Sequence, residues 1–235
     1  MAVAEIITIG TELLLGEIHD TNSRYIARVL RDIGVDLYRL TTVGDNVQRI
    51  TATLQEALMR ADIVITTGGL GPTVDDPTRE AVAKVFNVSL VYHEELWQQI
   101  QEWFSRYNRT PTENNKRQAY IPANGIAIKN DVGTAPAFAF ELGTKTVISL
   151  PGVPREMEYL YKFKIARGEN CINCGRCTKV CIYEAHKRRK DDQRKMADPN
   201  TVLCRNCFRC IQECPRGALE KSLQQDFVNI SGSYW

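Results

Sequence analysis

The chain has 235 residues, 43% hydrophobic and 25% charged, with a formal net charge of +2 at pH 7. No apolar run approaches the roughly 18 residues of a membrane helix, and the opening MAVAEIITIG lacks the charged-then-apolar pattern of a secretory signal. Both classes are set aside: the expectation is a soluble protein of the reducing cytoplasm, with no membrane partner.

Charge and cysteine content are uneven. Residues 1–161 carry 15 Lys+Arg against 20 Asp+Glu, a net of −5, and no cysteine. Residues 162–235 carry 15 against 8, a net of +7, and all 8 cysteines. Two domains with a boundary near residue 161 are expected. The first is long enough to bury its own core; the second needs staples.

In chain order, AEIITIG (4–10) is an apolar run ending in glycine, the pattern of a buried parallel strand feeding a tight turn. A helix is predicted from about Ser23 to Ile33, with Tyr25, Ile26, Val29 and Leu30 on one face and Gly34 as its stop. VDLYRLTTVG is a second strand. A second helix follows from Val47 to Arg60, with Ile50, Leu54, Ala57 and Leu58 inward. DIVITT (62–67) is a third strand and runs into GGLGPTVDDPT. Thr78–Phe86 and Glu94–Tyr107 read as helices, and ENNKRQAYIP as a short helix ended by Pro122. GIAIKN, AFAFEL and KTVISL are short strands, and a last helix opens at Pro154. Strands alternating with helices predict a three-layer α/β sandwich around a mostly parallel sheet.

Ligands of such sheets sit outside the carboxyl ends of the strands. Three loops are expected there: Gly10-Thr11-Glu12, Thr66–Asp76, and Pro151-Gly152-Val153-Pro154. In the middle loop, Gly68, Gly69 and Gly71 let the backbone approach a ligand and offer N–H groups to an anion. Thr67 and Thr73 add hydroxyls. Asp75 and Asp76 suit a metal or hydrogen-bond donors, and Pro77 pre-sets a helix start. PGVPRE is a second glycine loop at a helix N-terminus, suited to phosphate. The competing reading is tight turning alone, with the aspartates as helix caps. The loop is neither a GxGxxG fingerprint nor a Walker loop, which argues against those two uses.

IITIGTELLLGEIHDTNSRYIARVL, DIVITTGGLGPTVDDPTREAVA, NNKRQAYIPANGIAIKNDVGTAPAF and SLPGVPREM together resemble the amino-terminal domain of the competence/damage-inducible CinA proteins, of the molybdopterin-binding superfamily. The likeness covers nearly all of residues 1–161. It implies a MogA-like α/β fold, a pocket at TTGGLGPT for a pterin or nucleotide, and metal-dependent hydrolysis of ADP-ribose. The positions it carries over are Gly10, Thr11, Glu12, Thr67, Gly68, Gly69, Gly71, Thr73, Asp75, Asp76, Lys116 and Pro151 to Pro154. In that scheme Asp75 and Asp76 hold a divalent cation, Lys116 faces phosphate charge and Glu12 is the candidate base. A solvated surface charge is the competing reading for Lys116 and for Glu12. Ala137 stands where a glycine is expected. Association into homo-oligomers is a family habit. Nothing after Tyr161 resembles the amidase of longer CinA proteins.

The cysteines form two C-x2-C-x2-C-x3-C runs. Three thiolates of a run wrap three corners of an iron–sulfur cube, and the fourth reaches the other cube. Cys171, Cys174, Cys177 and Cys214 are thus assigned to one [4Fe–4S] cluster; Cys204, Cys207, Cys210 and Cys181 to the second. A disulfide framework, zinc sites and free thiols fit this doubled spacing less well. The stretch resembles bacterial two-cluster ferredoxins, and more closely the ferredoxin insert of archaeal-type glutamate synthases, through CIYEAHKRR, CRNCFRCIQECPRGALE and QQDFVNISGSYW. Ile182 follows Cys181 where proline is common, and His186 has no second ligand pattern beside it.

Electron transfer to a redox partner protein or flavin domain is the implied role. The basic HKRRKDDQRK segment reads as a solvated loop offsetting cluster charge rather than as a nucleic-acid site. No Gly/Ser/Pro-rich linker joins the halves, both resemblances break off abruptly, and a fusion of two fragments is expected. An electron-transfer module with a docking domain, a hydrolase with passenger clusters, and a redox-regulated enzyme are the three functions in contention. Two independent modules are the reading carried forward.

Overall fold

The computed structural model describes residues 2–32, 34–161, 164–167 and 219–222. The chain divides into two compact units, the first running to Leu160.

In the first unit β1 (Val3–Ile9) is buried along nearly its whole length and forms part of a six-stranded sheet. The sheet adds β2 (Asp36–Val43), β3 (Ile63–Thr67), β6 (Ile126–Ile128), β7 (Ala137–Leu142) and β8 (Lys145–Leu150) in the order β2-β1-β3-β8-β7-β6. Pairing is parallel from β2 to β8 and antiparallel from β8 to β6. Alternation along β1 divides its side chains between two faces. Ile7 and Ile9 join one core with Ile50, Leu54 and Ala57 of α3 (Val47–Arg60), Ala81 and Val82 of α4 (Thr78–Val85), and Leu96 and Ile100 of α5 (Glu94–Ser105). Ile6 points the other way, the side of α2 (Thr21–Asp32) and α6 (Pro154–Leu160), whose Ile26, Leu30, Met157 and Leu160 are buried. The three-layer arrangement with a mostly parallel sheet is therefore present.

Local chemistry sets the ends. The Asn46 side chain accepts from the Arg49 N–H and caps α3. Asn108, at φ 53°, takes the left-handed position after α5, and Arg109 N–H returns to Phe104 O at 3.1 Å. That ends the helix at Ser105, short of Tyr107.

The predicted ENNKRQAYIP helix needs correction. A 3-10 helix spans Glu113–Ala119, and then Tyr120–Pro122 is a strand, β5. It pairs antiparallel with β4 (Leu90–Tyr92), a strand too short to stand out in the sequence. Tyr92 and Tyr120 meet across the pair with ring centroids 5.3 Å apart, a cross-strand contact that outweighs helix continuation. A four-residue helical turn, α1 (Thr11–Leu14), was likewise not predicted.

In the second unit two strands are described, β9 (Lys164–Arg167) and β10 (Leu219–Ser222), paired antiparallel. They flank the cysteine stretch in sequence. The eight cysteines themselves lie outside the described residues, as do the expected clusters.

Candidate functional site

At the carboxyl ends of β1, β3 and β8 lies a cleft of about 590 Å³. Its size falls within the roughly 300–1,000 Å³ of small-molecule sites. Gly68, Gly69, Gly71, Thr73, Asp75 and Asp76 line it from the β3 loop, Glu12 from α1, and Pro151, Gly152 and Val153 from the β8 loop. The three loops expected to converge do so.

Glycine is required at two of these positions. Gly68 sits at φ +108°, and a Cβ there would lie 2.1 Å from Ile9 O. Gly69, at φ +65°, would place a Cβ 2.3 Å from Thr78 Oγ1. Both packing and backbone conformation exclude a side chain. Thr78 Oγ1 donates to Gly68 O at 2.8 Å and fixes the start of α4 against the loop.

Asp76 organises the loop from within. Its Oδ1 accepts from Gly71 N–H at 2.8 Å, and its Oδ2 accepts from Thr73 N–H at 2.9 Å and Thr73 Oγ1 at 2.6 Å. Asp75 beside it is exposed. Behind the loop, buried Arg79 donates to Leu70 O and, at 3.2 Å, to Gly71 O. Burial pulls its pKa down to about 10, against the opposing charges of Glu80 and Asp76.

Several expected residues form the wall instead of the lining. The Thr67 hydroxyl donates to Pro151 O at 3.0 Å and accepts from Asn22 Nδ2 at 2.8 Å. That same amide donates to Gly152 O at 2.8 Å, tying the β3 and β8 loops together. Gly10 N–H bonds Val43 O at 3.0 Å. Thr11 N–H donates to Asp45 Oδ2 at 2.7 Å, and Asp45 N–H returns to Thr11 Oγ1 at 3.1 Å. Pro154 opens α6. Lys116 is not brought to the cleft: its Nζ lies 2.9 Å from Glu113 Oε1 and 5.9 Å from the Trp97 ring centroid. Glu113 holds its pKa above the usual lysine value.

Four polar lining residues escaped sequence reasoning: Asp45, Gln118, Thr134 and Glu156. Asp45 lies just past the carboxyl end of β2, so the strand-end rule could have found it. Glu156 lies within the PGVPRE motif, one turn into α6. Gln118 and Thr134 both lie in the family-like NNKRQAYIPANGIAIKNDVGTAPAF stretch, the signal that could have found them; they meet in the fold, where Gln118 Nε2 lies 3.3 Å from Thr134 Oγ1.

The lining thus holds five carboxylates, Glu12, Asp45, Asp75, Asp76 and Glu156, and, among the described residues, no lysine or arginine. Comparison with known proteins agrees with this glycine-loop α/β architecture: residues 5–165 match the family described as "Probable molybdopterin binding domain". The chain belongs to that family.

Residues 170–219 match a second family, "4Fe-4S dicluster domain". A putative competence-damage inducible protein of Halothermothrix orenii is 51% identical over 160 residues, 68% of this chain and 39% of the relative. A CinA-like protein of Kosmotoga olearia is 46% identical over 173 residues, 72% of this chain and 42% of the relative. The chain therefore spans about two fifths of the length of these relatives. The crystal structure of CinA from Thermoplasma acidophilum superposes with a TM-score of 0.63 at 38% identity, covering 68% of this chain and 93% of that one. The first unit is a CinA-type, MogA-like α/β domain, and the stretch that matches the dicluster model follows it in sequence. Among the described residues no helix is long and apolar enough to cross a membrane.

Proposed function

We propose that the Gly68–Asp76 cleft binds a nucleotide diphosphate of the ADP-ribose class and hydrolyses it with the help of a divalent cation. The observation that carries this reading is the lining: glycine backbone able to approach an anion, set among five carboxylates with no basic side chain described. Such a wall repels a bare diphosphate and accepts one that brings a cation. Among the described residues no three acidic, cysteine or histidine side chains form a preassembled metal cluster. That suits a magnesium-type ion, which is ordinarily held by one or two carboxylates together with substrate phosphates. Of the two loop aspartates, exposed Asp75 is the one open to it, since both oxygens of Asp76 are engaged by the loop. When bound, the cation would neutralise charge developing on the phosphates.

The family description favours a second occupant, a pterin, in the same cleft. In the second unit, two [4Fe–4S] clusters held by the eight cysteines would pass electrons to a redox partner, the two modules acting independently. A ferredoxin segment serving a glutamate-synthase-like oxidoreductase, with the first unit for docking, is the alternative. A cytoplasmic setting suits either.

The experiment is anaerobic purification of the whole chain and incubation with ADP-ribose and Mg²⁺ or Mn²⁺, following release of AMP and ribose 5-phosphate. Cation-dependent turnover abolished by EDTA is expected. Absence of turnover together with tight, cation-independent pterin binding would replace the hydrolase reading by the second one.

A further inference from the structure

One cleft carboxylate has a seat built for it. Glu156, the third residue of α6, is half-buried and lines the cleft. Its Oε2 accepts from Nδ2 of Asn130, which has no exposed surface. Asn130 cannot turn over. Its Nδ2 also donates to Ala135 O at 2.9 Å, while its Oδ1 accepts from Val132 N–H at 3.2 Å. Gln99 of α5 brackets its backbone, donating to Asn130 O at 2.7 Å and accepting from Asn130 N–H at 3.3 Å.

Gly133 completes the seat. A Cβ there would lie 2.0 Å from Cδ of Glu156, so a side chain at 133 would displace the carboxylate. Glycine here leaves room for the carboxylate, and the constraint is one of space, not of backbone conformation. A single loop, residues 130–135, therefore holds one acidic group in the cleft, using an amide, a glycine and a brace from α5.

We propose that Glu156 is the general base of the cleft, accepting the proton of the water that attacks the ligand's diphosphate. This rests on the diphosphate-hydrolase reading above. In the step, the water oxygen forms a new bond to phosphorus as the bond from phosphorus to the bridging oxygen breaks. The electron pair of the broken bond leaves on the departing phosphate, and the water's proton passes to the Glu156 carboxylate.

The setting suits that task better than that of Glu12, which is exposed on a four-residue helical turn. Burial raises the pKa of Glu156 above the ordinary 4.5, with Asn130, the Ala135 backbone and Arg155 pulling the other way. A carboxylate raised toward neutrality is a stronger base. The charged groups around it are Arg155 on its own helix and, around the cleft, Glu12, Asp45, Asp75 and Asp76. Asp131 of the neighbouring loop is tied to Tyr159 at 2.9 Å, and from α2 Tyr25 faces Glu158.

The test compares wild type, Glu156→Gln and Gly133→Ala in the whole chain, with ADP-ribose and Mg²⁺. Glutamine keeps an oxygen for Asn130 and cannot take a proton. For Glu156→Gln, kcat should fall about 10²-fold or more, with ligand Kd by calorimetry unchanged. Wild-type kcat should fall as pH drops through the raised pKa, because the base is active only when ionised; this acid limb should vanish in Glu156→Gln. Gly133→Ala, which displaces the carboxylate without removing it, should lower kcat without abolishing binding, and circular dichroism melting confirms that each variant is folded. A Glu156→Gln variant with full kcat, or with reduced kcat and an intact acid limb, would overturn the base assignment and leave the hydrolase reading standing. If wild type itself does not turn over ADP-ribose, both fall together.

Discussion

At the scale of single residues, the two adjacent aspartates of the glycine loop have different jobs. Asp76 receives two backbone N–H groups and a hydroxyl from its own loop, and Asp75 is exposed. Asp76→Ala should therefore destabilise the fold by about 1.5–3 kcal/mol, the range for hydrogen bonds to a charged acceptor. Asp75→Ala should leave the melting temperature unchanged and raise the Mg²⁺ concentration needed for turnover. Thermal melts beside a cation titration of activity separate the two; equal melting losses would deny the division of labour. The sequence placed both residues on the loop that follows β3, and both line the cleft. It did not show which one the loop consumes, because that depends on how Gly71 and Thr73 fold back, a matter of three-dimensional path. Lys116 illustrates the same limit. Resemblance brought it forward as a phosphate group, whereas in the fold it sits with Glu113 and Trp97.

Among the elements, those with strong periodicity were legible almost to the residue. The helix predicted at Val47–Arg60 is α3 as observed, and Ile50, Leu54 and Ala57 are its buried face. The short pieces were not: β4 has three residues, α1 has four, and β5 was absorbed into a helix because only its partner strand makes it a strand. The cap of α3 matters beyond its own helix. Asn46 follows Asp45, which lines the cleft and is locked to Thr11. Asn46→Ala removes the side-chain acceptor for Arg49 N–H and should cost about 1 kcal/mol. Denaturant unfolding monitored by circular dichroism would show it as a lower midpoint at constant slope. Asn46→Asp, which keeps an acceptor and complements the helix dipole, should restore the midpoint.

For the whole molecule, the cleft draws residues from Ile9 to Glu156, and only the family-like loops announced themselves in sequence. Asp45 lies outside those loops, and Gln118 and Thr134, sixteen residues apart in one of the family-like stretches, come together beside the glycine loop only in the fold, Gln118 Nε2 lying 3.4 Å from Leu70 O. The cysteine stretch is the opposite case: the ligand assignment proposed there rests on spacing and not on fold. That assignment has a counter-intuitive consequence, since Cys181 lies in the first run but is given to the cluster of the second. Replacing Cys181 and Cys204 together should then remove one cluster and leave about four iron atoms per chain, whereas replacing Cys181 and Cys174 together should remove both and leave about none. Were each run to bind its own cluster, the two results would be exchanged: Cys181 with Cys174 would leave one cluster intact, and Cys181 with Cys204 would leave neither. Iron and acid-labile sulfide analysis after anaerobic reconstitution reads the difference directly.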